Sequence, residues 1–150
     1  MIGDDGLVLL AESLKTCPTL TYLDISLNEI GSMGFQALCE VLPDTNVANL
    51  MCNRNFLGDD VIAYFANILA DSDSAGNKIR KFDFSSCRMN DSGLIYLMNS
   101  MQNNKKVSSF KLTDNFFSEN VEAILLETLN KNVSLIEICL QGNRFSHAGL

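Results

Sequence analysis

The chain of 150 residues has no tryptophan and a single histidine, His147, and these gaps limit its chemistry. Catalysis through a Ser-His-Asp or Cys-His arrangement would depend on that one histidine, near the end of the sequence. The phosphate-binding patterns G-x-x-x-x-G-K-[ST] and G-x-G-x-x-G are absent. Five cysteines without a C-x-x-C pair also make a zinc site unexpected. We therefore expect no enzyme activity, no cofactor, no metal ion and no small-molecule substrate.

Positive charge and long apolar runs are also scarce. The sequence has 11 Lys and Arg against 18 Asp and Glu, a net charge of −7. Nucleic acids and anionic membranes are bound by basic faces, so neither is an expected partner. No apolar run approaches the roughly 20 residues of a membrane-spanning helix. Asp4 and Asp5 stand where a secretory signal would carry basic residues, which argues against a signal peptide.

The most informative feature of the sequence is a repeated pattern. Similar segments begin at 27, 32, 28 and 28-residue intervals, at Leu20, Val47, Ile79, Val107 and Leu135. Each segment has apolar residues at its first, fourth, sixth and eleventh positions. The ninth positions hold Asn28, Asn55, Cys87, Asn115 and Asn143. Five segments in one phase indicate an array of equivalent structural units.

Each segment predicts a short strand followed by a turn. Side chains alternate along a strand, so the fourth and sixth positions, such as Leu23 and Ile25, point inward together. The ninth position falls in the turn, where a buried Asn amide can hydrogen-bond the backbone of neighbouring turns. The predicted strands lie near 22–25, 49–52, 81–84, 109–112 and 137–140.

The second half of each unit predicts an α-helix. Apolar residues recur at four-residue spacing, as at Gly34, Leu38 and Leu42, which lines one helix face. Residues 2–14 match this helical half without a strand before it. Asp59, Asp91 and Ser118 fall near helix starts, where their oxygens are expected to accept hydrogen bonds from free N–H groups.

The pattern L-x-x-L-x-L-x-x-N/C-x-L resembles the leucine-rich repeat, and the 28-residue length resembles its ribonuclease-inhibitor-like class. The resemblance covers essentially the whole chain. It implies an α/β fold, a right-handed solenoid or horseshoe with a parallel sheet on its concave face and helices outside. We expect one domain over 1–150, a piece of a longer array, with repeats near 1–19, 20–46, 47–78, 79–106, 107–134 and 135–150.

The concave face is the usual binding surface of this class. The candidate partner-binding residues on it are Tyr22, Asp24, Asn49, Met51, Lys81, Asp83, Lys111, Glu137 and Gln141. The outward positions are mixed in charge and include one aromatic residue. Tight interfaces favour Tyr, Trp and Arg anchors, so the pattern indicates a weak or shared interface, or one completed by further repeats.

Three arginines, Arg54, Arg88 and Arg144, follow the strands and are expected along one rim. They are candidates for contact with an acidic partner or a nucleotide phosphate. The alternative is that they are solvated turn residues near the acids of the helix starts.

An insertion at 71–78 begins like a calcium loop, D-x-D-x-x-G. The EF-hand pattern needs Asp or Asn at its fifth position and Glu at its twelfth, but Ala75 and Phe82 stand there. We therefore interpret the insertion as a surface loop that holds no metal.

The cysteines do not occupy equivalent positions in adjacent repeats, so disulfides are not expected. Free thiols indicate a reducing compartment, and we expect a cytoplasmic protein.

The predicted function is protein–protein recognition, as a scaffold or regulatory module. Two alternatives stay open because fold does not decide function. One is a GTPase-activating regulator that resembles the Ran activator and works through Arg54 and Arg88. The other is a structural component of a cytoskeletal or ciliary assembly.

Overall fold

Helices and strands alternate along the chain in the computed structural model, which describes residues 1–71 and 73–146. The helices are α1 (Gly3–Leu14), α2 (Ser32–Val41), α3 (Gly58–Ala70), α4 (Asp91–Met101) and α5 (Glu122–Lys131). The strands are β1 (Tyr22–Asp24), β2 (Asn49–Met51), β3 (Lys81–Asp83), β4 (Ser109–Lys111) and β5 (Glu137–Cys139). Short 3₁₀ turns cover Leu42–Asp44 and Glu119–Val121. Each strand therefore ends one residue earlier than predicted.

The strands form one parallel sheet in chain order, β1-β2-β3-β4-β5. Tyr22 pairs with Asn49, Asn49 with Lys81, Lys81 with Ser109 and Ser109 with Glu137. Parallel neighbours need a crossover connection, and a helix supplies it after each of the first four strands. The register follows the repeat spacing of the sequence. The predicted α/β architecture, with a parallel sheet and helices on one side, is confirmed.

The core lies between the sheet and the helices. The central residues of the first four strands, Leu23, Leu50, Phe82 and Phe110, are buried there. In the middle of the chain Phe65 of α3 packs against the rings of Phe82 and Phe84, with centroid distances of 5.2 and 4.8 Å. Aromatic pairs at such distances stabilise a core beyond their buried area. The helices therefore occupy one side of the sheet and leave the other, the open face, to solvent.

The ninth-position asparagines connect successive turns; Asn55 and Asn115 are buried as predicted, whereas Asn28 and Asn143 at the two ends of the array are half-buried. Oδ1 of Asn55 accepts from the N–H groups of Asn28 and Ile30 at 3.1 and 3.0 Å. Its Nδ2 donates to the carbonyls of Ile25 and Cys52. Asn115 repeats this arrangement one turn after Cys87, whose thiol instead donates to the Cys52 carbonyl at 3.2 Å. Each amide thus satisfies backbone groups that an apolar residue would leave unpaired.

A second set of asparagines, which the sequence did not suggest, lies where the helices return to the sheet. Nδ2 of Asn104 donates to the carbonyl of Leu69 at 2.7 Å, and its Oδ1 accepts from the N–H groups of Lys106 and Val107. Asn132 makes the equivalent bonds one repeat later, with Nδ2 donating to the Met101 carbonyl. The turn before a helix and the turn after it are therefore both hydrogen-bonded to the preceding repeat.

The carboxylates at the helix starts act on the next repeat rather than on their own helix. Helices α3 and α4 have no side-chain cap. Oδ1 of Asp59 accepts from the N–H of Asn90 at 2.7 Å, and Asp91 accepts from the N–H and hydroxyl of Ser118. Asp59 and Asp91 thus accept from backbone N–H groups as predicted, but from those at the start of the next repeat's helical segment, and Ser118 accepts from Asn120 N–H.

Small residues make this carboxylate contact possible. Oδ1 of Asp4 accepts from the N–H groups of Gly31 and Gly34 at 2.7 and 3.0 Å. A Cβ on Gly34 would lie 2.7 Å from that oxygen, and one on Gly93 would lie 2.6 Å from Oδ1 of Asp59. A side chain at either glycine would therefore push the carboxylate out of its place.

The insertion is absorbed between α3 and β3 without a change in sheet register. Ser72 is outside the described residues. The ammonium of Lys106 donates to the carbonyls of Ser74 and Asn77 at 2.7 and 2.9 Å. Asn77, which is buried, donates to the Ile68 carbonyl at 2.9 Å. The surface loop predicted from the sequence is thus attached to the body of the protein at its C-terminal half.

Candidate functional site

The open face carries the side chains predicted to bind a partner. Strand register aligns one row of outward residues, Tyr22, Asn49, Lys81, Ser109 and Glu137, beside a second row, Asp24, Met51, Asp83, Lys111 and Cys139. Asp24, Lys81, Lys111, Glu137 and Gln141 are exposed, and Asn49, Met51 and Asp83 are half-buried. Tyr22 is 54% exposed at the β1 edge. The structure brings these residues onto one surface; their role in binding stays a prediction.

Charges of both signs meet in the middle of this face. A depression of about 160 Å³ is lined by Met51, Lys81, Asp83, Ser109, Lys111 and Glu137. The hydroxyl of Ser109 donates to Oε2 of Glu137 at 2.7 Å. That bond, with smaller contributions from Lys111 and Lys81, holds the pKa of Glu137 below its usual range. The depression therefore offers fixed cations and anions to a partner's polar side chains.

The turns that follow the strands form a rim that, unlike the open face, carries phenylalanine and arginine side chains in contact with each other. Their tenth positions hold Glu29, Phe56, Arg88, Phe116 and Arg144. The Arg88 guanidinium lies 4.1 Å from the centroid of the Phe56 ring, and that of Arg144 lies 4.7 Å from the Phe116 ring. Such distances are those of cation–π contacts. We refer to Phe56, Arg88, Phe116 and Arg144 as the stacked row.

The three rim arginines are therefore not equivalent. Arg88 and Arg144 belong to the stacked row at the tenth positions, whereas Arg54 occupies the eighth position of its segment. The ion pairs within the described ranges are Lys15–Glu12 and Lys131–Glu127, and neither involves an arginine. The expected neighbours Asp59 and Asp91 are engaged with the next repeat instead. The arginines thus lie on the turns as predicted, without an ion-pair partner in that part of the chain.

Comparisons with known proteins agree with this geometry. Two stretches, residues 16–39 and 77–98, match the family model described as Leucine Rich repeat. The chain is a leucine-rich-repeat protein. Its fold is similar to the solved structure titled Leiomodin-1 Actin-Binding Site 2 (ABS2), with a TM-score of 0.77 and 17% identity. The match covers 93% of this chain and 79% of that one. No curated protein matches the sequence significantly.

The thiols of this leucine-rich-repeat protein are free, and three are buried: Cys39, Cys52 and Cys87. Burial raises the pKa of the Cys39 and Cys52 thiols well above the usual value. Burial also raises the pKa of Cys87 to about 12, because hydrogen bonds from the backbone only partly offset it. Thiols act as nucleophiles and metal ligands when deprotonated, so these three serve as small apolar core residues.

Residues 1–71 and 73–146 have neither a cluster of metal-ligating side chains nor a membrane-spanning helix. No group of three or more His, Cys, Asp or Glu side chains in these ranges could hold a metal ion. No helix there is long and apolar enough to cross a membrane. His147, the one histidine, lies outside the described residues.

Sequence reasoning missed the phenylalanines of the stacked row. Phe56 and Phe116 are 44% and 40% exposed, although large apolar side chains are usually buried. The signal was present, because both follow the ninth-position asparagine directly, as Arg88 follows Cys87. Comparing the tenth positions across repeats, rather than the arginines alone, would have placed all four in one row.

Proposed function

We propose that this leucine-rich-repeat protein binds a partner protein through the open face of its sheet, as a scaffold or regulatory module without catalysis of its own. The fold and its structural neighbour support the broader role of an interaction module. The observation that supports the open face is its unbroken register, which holds Lys81, Asp83, Lys111 and Glu137 side by side. A preorganised surface binds at a smaller entropic cost than a flexible one.

A charge-reversed variant tests the proposed face. Asp24→Lys, Asp83→Lys and Lys111→Glu together change exposed or half-buried side chains, and circular dichroism checks that the fold survives. A matched control, Asp5→Lys, Asp60→Lys and Lys105→Glu, makes the same net change at exposed sites outside the sheet. Quantitative mass spectrometry after affinity capture from cell lysate compares both with the unmodified protein.

Partners lost from the open-face variant and kept by the control would support the proposal. Equal loss in both variants, or loss in neither, would contradict it and move recognition to the rim or the helices.

A second candidate is a structural role in a cytoskeletal assembly. It is favoured by the neighbouring structure, whose title names an actin-binding site. Co-sedimentation with filamentous actin, together with an anisotropy titration of labelled monomeric actin, tests it directly. Absence of binding to both forms at micromolar concentration would argue against actin as the partner. The GTPase-regulator alternative, which relies on Arg54 and Arg88, stays a prediction.

A further inference from the structure

The stacked row repeats a cation and a ring in alternation along the rim. Arg88 and Arg144 are two repeats apart, and Phe116 belongs to the repeat between them. Neighbouring strands lie about 4.8 Å apart, so the two arginines are separated by about 10 Å near the ends of their strands. The row therefore presents two cations with an apolar ring between them.

Stacking fixes the guanidinium plane but leaves its edge free to donate. A planar guanidinium over a ring keeps its N–H groups directed sideways, where they match the two oxygens of a carboxylate. Neither arginine forms an ion pair within residues 1–71 and 73–146. The rings are about two-fifths exposed, so a partner that covers them would also exclude water from the arginine edges. An ion-paired hydrogen bond gains strength where water is excluded.

From this geometry we infer that the stacked row binds an extended acidic segment of a partner protein. In a polyproline II segment residues advance by about 3.1 Å and every third side chain lies on the same side, so two Glu residues three positions apart span about 9 Å on one side. The chain as a whole has a charge of −7, so a rim where two arginines have no ion-pair partner among residues 1–71 and 73–146 would attract an acidic segment.

This inference rests on the proposed role in protein binding but not on the open face. It adds a second surface, at the strand-to-helix turns, and assigns it a ligand of a different chemistry. Loss of a partner from the open-face variant and loss of an acidic peptide from a rim variant are independent outcomes. The two proposals therefore fail separately.

A synthetic peptide provides the test. The probe is a fluorescein-labelled 12-residue peptide with Glu-Leu-Ala-Glu at its centre and Gly and Ser around it, titrated with the intact protein in a fluorescence anisotropy assay. The comparison peptide carries Gln in place of both Glu residues. We expect the Glu peptide to bind at least about tenfold more tightly than the Gln peptide, with an affinity that falls as salt is raised. Equal affinities would overturn the inference.

Variants locate the binding. We expect Arg88→Ala and Arg144→Ala each to weaken the Glu peptide by about tenfold. Arg88→Lys, which keeps the charge but lacks the planar group, should also weaken it. The matched control is Arg80→Ala, an exposed arginine at the opposite end of the strands. An Arg80→Ala loss equal to that of Arg88→Ala, or full binding by Arg88→Ala, would overturn the assignment to the stacked row.

Discussion

The buried amide of Asn115 gives a quantitative test of how the repeats are held together. Its Oδ1 accepts from the N–H groups of Cys87 and Met89, both at 3.1 Å. Its Nδ2 donates to the carbonyls of Phe84 and Leu112, at 3.0 and 3.1 Å. The side chain is 2% exposed, so water does not replace it easily. Asn115→Ala would leave two buried N–H groups without an acceptor.

Leaving a buried N–H group unpaired costs about 1–3 kcal/mol. Two such groups predict a loss of about 2–6 kcal/mol in the free energy of unfolding for Asn115→Ala. This is a large part of the 5–15 kcal/mol typical of a domain. Urea unfolding followed by far-ultraviolet circular dichroism measures the loss without a tryptophan signal, which this chain lacks.

Two further variants separate the hydrogen bonds from other effects. Asn99→Ala removes an exposed amide of α4 and should change the free energy of unfolding by no more than about 0.5 kcal/mol. Asn115→Cys copies the residue that the chain itself uses one repeat earlier, and it should lose less than Asn115→Ala. An Asn115→Ala loss below about 1 kcal/mol would refute the reasoning, because it would mean that the turn backbone finds other partners.

Three other predictions concern single side chains. Cys87→Asn should raise the free energy of unfolding by about 1 kcal/mol, since an amide adds an acceptor that the thiol lacks, and a lower urea midpoint would contradict this. Burial raises the pKa of Asp91, but hydrogen bonds from Ser118 and from the Asn120 side chain outweigh it, so the net pKa is lowered. Its contribution to stability should be present above the unfolded-state value, about 3.9, and disappear as the pH falls through the lower folded value. The stability difference between the wild type and Asp91→Asn should therefore shrink between pH 6 and pH 2.5 in urea titrations. Lys106→Met removes the hydrogen bonds from the ammonium to the Ser74 and Asn77 carbonyls, so it should speed hydrogen exchange of the amides in 73–78 while the sheet amides stay protected. Unchanged exchange in that loop would mean that these hydrogen bonds do not hold it.

The sheet and helices could be predicted because apolar spacing reports directly on burial. Leu23, Leu50, Phe82 and Phe110 recur at the fourth position, and all four are buried against the helices. The C-terminal end of each strand could be predicted less accurately, because the sixth position is apolar and points inward although the strand pairing has already ended. Ile25 illustrates this, since it is buried yet lies one residue beyond β1.

The hydrogen-bond and stacking partners of polar side chains could be predicted less well. An acid at a helix start satisfies the same chemistry whether it bonds its own helix or the next one, so the sequence could not show that Asp59 reaches Asn90. Likewise, the three arginines that follow strands were predicted to form one group. Arg54, however, is at the eighth position of its segment and Arg88 is at the tenth, so they lie at different points of the turn. Such choices depend on the stacking of neighbouring repeats, which is a property of the assembled structure.

The placement of the insertion shows where this architecture can change its length. Between strands and helices, the turns are pinned by amides such as Asn55 and by backbone with left-handed φ at Arg54 and Arg88. Extra residues there would break several bonds between repeats at once. Between α3 and β3, added residues leave the pairing of Met51 with Asp83 unchanged. A purification tag or fluorescent reporter introduced between residues 74 and 76 would therefore leave both the open face and the stacked row in register.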